Sequence, residues 1–391
     1  MNYELPAPLQ RLRSELRRRI ATAFPDGFPS IFVDDPAVLD ASTQFCRRLG
    51  EDGLLTMAWP PEYGGAGASL WAQAVVAEEM WAHGEPRGAQ YYGVNWIGPA
   101  IMRFGTPAQR ALHLPMIARG EALWAQGYSE PDAGSDLASL RLRARRVAGG
   151  WELSGQKIWT SYASFARWCF LAARTDDSGS KHHGITVFLV PMDREGIEVR
   201  PIASVNSPHD LNEVFFDQAF ASDDEVLGNV DDGWHVITAS LTFERVGTAR
   251  YARSDRLLSE ARTAMLEGGK RPSRHLMANW ADAAINTRVA RLLTYRAVAE
   301  RERAGDGSPS PLASSVSRIA NTVNDQATTS EVLEMLGSSS LLAHGQQPVP
   351  LGGEAEHEWR HALSATVVAG TREVQQMVIA REVLGPTPRG R

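Results

Sequence analysis

The sequence predicts an α+β fold with an all-helical N-terminal segment, a strand-rich middle segment and a C-terminal four-helix bundle. Three observations carry this. Up to about Leu123, apolar residues recur at helical steps. From about Trp124 to Asp223, short runs of β-branched and aromatic residues are punctuated by Gly, Asp and Ser. From about Gly233, helical periodicity returns in four long segments. The expected domains are 1–123, 124–230 and 231–391.

The elements follow in order. "LQRLRSELRRRIATAF" places Leu9, Leu12, Leu16 and Ile20 on one face, and Glu15 interrupts its arginines. We read it as a surface helix rather than a transit peptide. "ASLWAQAVVAEEMWA" and "PAQRALHLPMIARGEA" are the next helices, set apart by turns such as "WPPEYGGAGAS". Thr106 before Pro107 suits an N-cap with proline at the first helical position. "LRARRV", "GWELSG", "QKIWTS", "WCFLAART", "GITVFLVPM" and "GIEVRPI" read as short strands of a small antiparallel barrel or sandwich. Segments 233–266, 276–303, 311–337 and 356–384 read as the bundle helices. "RAGDGSPSP" and "HGQQPVPLGGEAE" read as connections.

Composition narrows the function. The chain has 391 residues, 43% hydrophobic and 22% charged, enough for two or three structural units. A net charge of -6 does not recommend nucleic acid, which usually asks for a basic face. The two cysteines, Cys46 and Cys169, lie far apart, with neither metal-ligand spacing nor a disulfide framework. No apolar run is long enough to span a bilayer. A reduced, intracellular setting is expected, and we place the protein in the cytoplasm.

Two stretches carry chemistry. "GYSEPDAGSDLASL", Gly127 to Leu140, packs glycine, proline, serine and acids together. By itself it reads either as a surface turn or as a loop presenting backbone donors to a polar ligand. "GQKIWTSYASFARWCFLAARTD", Gly155 to Asp176, sets Trp159 among polar residues. That tryptophan either packs in the barrel or covers a planar ring. A third feature is "LTFERVG". Trp234, Ile237, Leu241, Glu244 and Thr248 fall at helical steps of three and four, so Glu244 shares a face with apolar residues. Such a carboxylate is either paired or snorkelling, or it is a desolvated base.

In this order, between two helical segments, these motifs resemble the acyl-CoA dehydrogenase family. "WPPEYGGAGAS", "YSEPDAGSDL", "GQKIWTS", "NEVFFD", "VLGNVDDGW" and "AGTREVQQMVIAREVLG" match the family pattern along nearly the whole chain. The resemblance implies a non-covalent FAD held between the middle domain, the bundle and a neighbouring subunit. Carried over by position, Tyr128, Ser129 and Glu130 lie beside the isoalloxazine, and Ser135 lies near flavin and substrate. Trp159 and Ser161 flank and hydrogen-bond the ring. Thr371 and Glu373 lie near the adenosine half.

The family reaction converts an acyl thioester to the trans-2-enoyl thioester. A carboxylate takes the α-proton, and the β-hydrogen leaves as hydride to flavin N5. Many members carry the base two residues before the threonine of a "GT" pair. Here "VVAGT" puts Ala369 at that position, and alanine accepts no proton. Isovaleryl- and long-chain-type members instead use a glutamate on a bundle helix, immediately before an arginine. Glu244 followed by Arg245 occupies that position. The Ala369 N–H still serves to polarise the thioester carbonyl, with the ribityl 2′-hydroxyl as the second donor. Arg245 reads either as part of the substrate site or as an ion pair holding the helix.

Other positions depart from the pattern. The family's "RxxFG" stretch, whose arginine reaches a partner's FAD pyrophosphate, is replaced by "LEGGKRPSRHLMANW". Lys270, Arg271 and Arg274 supply charge there without a clean match. Glu334 in "EMLGSSS" stands where glutamine is common, and Gly337 keeps one glycine. The resemblance implies an acyl-CoA or acyl-carrier-protein substrate, electron-transfer flavoprotein as acceptor, and a homodimer or homotetramer. A heteromer fits the altered stretches. Two alternatives share the fold: a flavin monooxygenase or oxidase, and a non-catalytic subunit of a heteromeric dehydrogenase. The small Ala369 leaves room for a branched or bulky acyl group.

Overall fold

The structure, a computed structural model, describes residues 5–30, 35–206, 211–246, 249–267, 272–305, 310–343, 346 and 350–385, with backbone alone at 245 and 246. Helices α1 (Ala7–Ala23), α2 (Pro36–Glu51) and α3 (Leu70–Ala82) come first. Next, α4 (Gln90–Tyr92) passes through a π-turn at Gly93–Ile97 into α5 (Gly98–Phe104), followed by α6 (Pro107–Ala118). Strands follow: β1 (Trp124–Gly127), β2 (Arg143–Val147), β3 (Gly150–Lys157), β4 (Trp168–Arg174), β5 (Ile185–Pro191), β6 (Ile197–Ile202), β7 (Leu211–Ser222) and β8 (Val226–Leu227). The remainder is helical: α7 (Gly233–Val246), α8 (Arg250–Glu267), α9 (Arg274–Arg303), α10 (Pro311–Leu336), α11 (Glu354–Ser364) and α12 (Arg372–Leu384). The expected order of helical, strand and helical segments holds.

Two of the four long bundle segments are divided. The 233–266 segment is α7 and α8, with Ala249 outside both. The 356–384 segment is α11 and α12. Ala369 (φ 56°) and Gly370 (φ 87°) leave helical space between them, and Thr371 caps α12 by accepting the Val374 N–H. The cap at Thr106 is a full capping box with Gln109. Among the described residues, no helix is long and apolar enough to cross a membrane.

The chain forms two compact units. One comprises residues 31–68 and 87–244, and the other 1–30, 69–86 and 245–391. The division passes between Glu244 and Arg245.

The first unit is built on an eight-stranded sheet in the order β6-β7-β3-β2-β4-β5-β8, with β1 also on β4. Most pairs are antiparallel, but β1 and β2 both run parallel to β4, β1 along Trp168–Leu171 and β2 at Arg174. "GWELSG" and the start of "QKIWTS" are one strand, β3, with a register shift between Leu153 and Gly155. Leu142, Trp151, Leu153, Cys169, Leu171, Phe188, Val190, Val214 and Phe216 form its core. Both cysteines are buried thiols outside any disulfide. Helix α5 begins at a glycine because a Cβ on Gly98 would lie 2.2 Å from the Trp59 ring.

The second unit is helical. Helix α10 packs against α8, α9, α11 and α12. Leu257, Leu258, Ala261, Met265, Ala283, Val332, Met335 and Leu336 form an apolar cluster. Much of α10's interior is nevertheless polar: Ser314, Ser315, Ser317, Asn321, Thr322, Asn324, Asp325, Thr328 and Thr329 are all buried. Thr294 and Ser317 hydroxyls meet at 2.9 Å, and Asn321 donates to Thr294 at 2.9 Å. Asp325 receives Arg250 at 2.9 Å and Arg253 at 2.5 Å, and Arg253 also donates to Glu358. The arginines of α1 have a purpose here. Arg13 and Arg17 pair with Glu78 and Glu79 of α3, and Glu78 also accepts the Tyr251 and Tyr295 hydroxyls at 2.6 and 2.7 Å.

Candidate active site

In the sheet unit, β1 delivers Tyr128 and β3 delivers Lys157 to the same place. Lys157 is fully buried; it donates to the Tyr128 carbonyl at 3.1 Å and to the Glu130 carboxylate at 2.7 Å. Glu130 also accepts the backbone N–H groups of Arg141 at 2.6 Å and Leu142 at 2.8 Å. Its side chain therefore shapes the 127–142 loop from inside. Burial pushes the Lys157 pKa below the ordinary lysine value, and the Glu130 charge opposes that push. Ser129 accepts the Ile158 N–H through its carbonyl at 2.9 Å, tying this loop to the segment after β3.

That segment holds Trp159 in an unusual state. Its φ is 60°, and the side chain is 56% exposed although it is a large aromatic. A left-handed conformation costs a residue with a Cβ about 1–2 kcal/mol. The flanking bonds hold it there: Ile158 to Ser129, the Thr160 N–H to the Asn212 carbonyl at 3.0 Å, and the Asn212 amide back to the Thr160 carbonyl at 3.0 Å. A strained residue fixed from both sides points to function. Ser161 is half-buried beside it, and Ser135 is exposed on its loop.

Helix α7 meets the loop through Tyr128. The Tyr128 hydroxyl lies 2.6 Å from Ser240 Oγ, and Ser240 donates to the Ile237 carbonyl at 3.0 Å, so the tyrosine is the donor. Burial raises the Tyr128 pKa well above the ordinary phenol value, and the Glu244 charge adds to the rise. Glu244 is thus within electrostatic reach of Tyr128, one helical turn beyond Ser240. It is half-buried. The buried face of α7 is Gly233, Val236, Ile237, Ser240 and Phe243, whereas Trp234 and Leu241 are half-buried. Glu244 therefore lies on the same face as Ile237 and Ser240, toward its C-terminal end, while Trp234 and Leu241 of the expected stripe fall to one side of it. Trp234 instead lies against the His182 ring, 4.9 Å between centroids. Thr248, Lys270, Arg271 and the Arg245 side chain lie outside the described residues.

The remaining expected site residues belong to the helical unit. Thr371 Oγ1 accepts the Val374 N–H at 3.3 Å, and Glu373 is exposed in the first turn of α12. Ala369 is half-buried in the turn before it. Glu334 and Arg274 are exposed. Lys157, Ser240 and Asn212 escaped the sequence reading. Lys157 had a usable signal, because it continues the inward alternation of Trp151 and Leu153.

Three family models match in succession: the acyl-CoA dehydrogenase N-terminal domain over residues 33–121, the middle domain over 125–219 and the C-terminal domain over 231–384. The chain belongs to the acyl-CoA dehydrogenase family. Membership makes it a flavoprotein-type oxidoreductase, as the motifs implied. It is 34% identical to acyl-CoA dehydrogenase IpdE1 of Mycobacterium tuberculosis, over 87% of this chain and 86% of that protein. Among solved structures, the Tcur3481-Tcur3483 steroid ACAD superposes with a TM-score of 0.89 at 29% identity, covering all of both chains. The ChsE4-ChsE5 complex from Mycobacterium tuberculosis superposes with a TM-score of 0.87 at 29% identity, again over both whole chains.

Proposed function

We propose that the protein is an FAD-dependent acyl-thioester dehydrogenase in which Glu244 takes the substrate's α-proton. The observation that carries this is the electrostatic coupling of a half-buried Glu244 to Tyr128; the sequence offers no acid at Ala369. A base in a partly desolvated site has a stronger drive to accept a proton. Tyr128 and Ser240 orient the α7 turn that bears it. The Ala369 N–H holds the thioester carbonyl as negative charge develops there. FAD supplies the hydride acceptor when bound. The fit to that group rests on Trp159, whose left-handed backbone leaves a large aromatic side chain exposed and able to cover a planar ring. Tyr128, Ser129, Ser135 and Ser161 hold the ring, and Thr371 and Glu373 the adenosine half. Glu130 contributes by fixing the loop from behind. Arg245 assists the substrate site, and the three-domain division 1–123, 124–230 and 231–391 is the frame for these roles.

For the substrate we propose a bulky acyl-CoA, of the steroid-derived kind named for one structural relative, rather than a carrier-protein thioester. The small Ala369 fits this. Turnover of branched and straight acyl-CoAs at equal chain length tests it, and a strict preference for straight chains refutes it. The structural relatives named as two-component assemblies favour a heteromer over a homodimer or homotetramer. We place the protein in the cytoplasm, with electron-transfer flavoprotein as its acceptor.

The test is spectroscopic. The purified protein should show a flavin spectrum that bleaches when acyl-CoA is added anaerobically. Glu244→Gln should keep the flavin and abolish bleaching. Bleaching at the wild-type rate in that variant refutes the assignment of the base. Rapid oxygen consumption by the reduced protein would instead indicate an oxidase.

A further inference from the structure

The turn from 365 to 371 is held by more side chains than a helix connection needs. Arg318, on α10 and 4% exposed, donates from Nη2 to the Val368 carbonyl at 2.8 Å and the Ala365 carbonyl at 3.3 Å. Gln375, on α12 and 1% exposed, donates from Nε2 to the Gly370 carbonyl at 3.2 Å and the Ala369 carbonyl at 3.4 Å. The Arg372 N–H donates to the Thr366 carbonyl at 3.1 Å. The acceptors of the turn are therefore engaged almost throughout. Its donors are less engaged: among the described residues, no acceptor outside a helix ladder meets the N–H groups of Thr366, Ala369, Gly370 and Thr371. Ala369 also has φ 56°, a strained value for alanine.

We infer that Arg318 and Gln375 are positioning residues that aim the Ala369 N–H at the substrate's thioester carbonyl. This rests on the acyl-thioester reading above. The Ala369 N–H and the Val368 carbonyl belong to one planar peptide unit, pointing in opposite directions. The Arg318 bond to that carbonyl therefore fixes where the N–H points. A charged donor on the oxygen also polarises the peptide and makes the N–H a stronger donor. Gln375 fixes the next two peptide units, so the strained φ at Ala369 cannot relax. Gly370 is required for this: a Cβ there would lie 2.6 Å from Gln375 Nε2, and its φ is 87°. A donor fixed before the substrate arrives needs no reorganisation as charge develops on the oxygen.

The test compares wild type with Arg318→Met, Arg318→Lys and Gln375→Met. A panel of straight-chain, branched and steroid side-chain acyl-CoAs identifies the fastest-bleaching substrate, and its enoyl-CoA product is made with a ¹³C-labelled carbonyl. Isotope-edited infrared difference spectra of the bound product report carbonyl polarisation directly. Arg318→Met should lower kcat ~100-fold with little change in KM, as for a misplacement of about 1 Å. The carbonyl stretch should move back toward its value in free solution. Arg318→Lys should restore part of both effects. If Arg318→Met does not fold, Gln375→Met carries the same two readouts. Wild-type kcat and an unmoved carbonyl stretch in a folded variant overturn the inference while leaving the dehydrogenase reading intact. Failure of the wild type to bleach with every acyl-CoA overturns both.

Discussion

His113 should make the fold acid-sensitive. It lies on α6, 3% exposed, with its ring edge-on to Trp124 at 5.2 Å and Trp168 at 4.6 Å. Among the described residues, its buried Nδ1 has no hydrogen-bond partner. Burial lowers its pKa from 6.5 to about 4. The imidazole is thus neutral in the fold and protonates readily only once unfolded. The contribution is fully present above pH 6.5 and is lost as pH falls from there toward 4. At pH 5 the unfolded histidine is almost wholly protonated and the folded one hardly at all, so folding is weakened by about 2 kcal/mol relative to pH 8. His113→Phe keeps the ring between the tryptophans and removes the titration. Urea unfolding of both proteins, followed by tryptophan fluorescence at pH 8, 7, 6 and 5, measures the difference. The variant should gain about 2 kcal/mol on wild type across that range. A difference that stays flat with pH refutes the reasoning.

Two other perturbations are as definite. Arg253→Met should cost about 3–5 kcal/mol, because it leaves the buried Asp325 and Glu358 without their shared counter-charge. Denaturation midpoints check it, and a loss below about 1 kcal/mol would mean Arg250 alone suffices for Asp325. Trp159→Asn should leave the apoprotein as stable or more stable by up to about 1 kcal/mol, since asparagine tolerates the left-handed region. Its flavin affinity, measured by equilibrium titration, should fall; unchanged affinity would remove Trp159 from the cofactor site.

The sequence made the order of segments legible because each has its own hydrophobic period. It hid what depends on non-local bonds. Trp159 sits in a run that reads as strand, yet Asn212, distant along the chain, helps pull it out of the sheet. Helix α7 was recognisable, but its exact rotation was not: the buried face includes Ser240, whose polarity argues for the outside until Tyr128 is found against it. Glu130 carries no sequence mark that separates a ligand from a loop brace, and only the partners Lys157, Arg141 and Leu142 decide. The break between α11 and α12 interrupts a segment, 356–384, that reads as one helix, although "AGT" sets a glycine beside a capping threonine. The parallel pairing of β1 and β2 on β4 leaves no pattern within any one strand.

The hydroxyl- and amide-lined interior of α10 affects how the two units respond to temperature. Unfolding the sheet unit exposes mainly apolar side chains such as Phe188, Leu171 and Trp151, which raises the heat capacity. Unfolding around α10 also exposes Ser314, Ser317, Asn321 and Thr328, and polar exposure lowers it. Per residue, the helical unit should have the flatter stability curve. The sheet unit should have the sharper optimum and be the first to weaken on cooling.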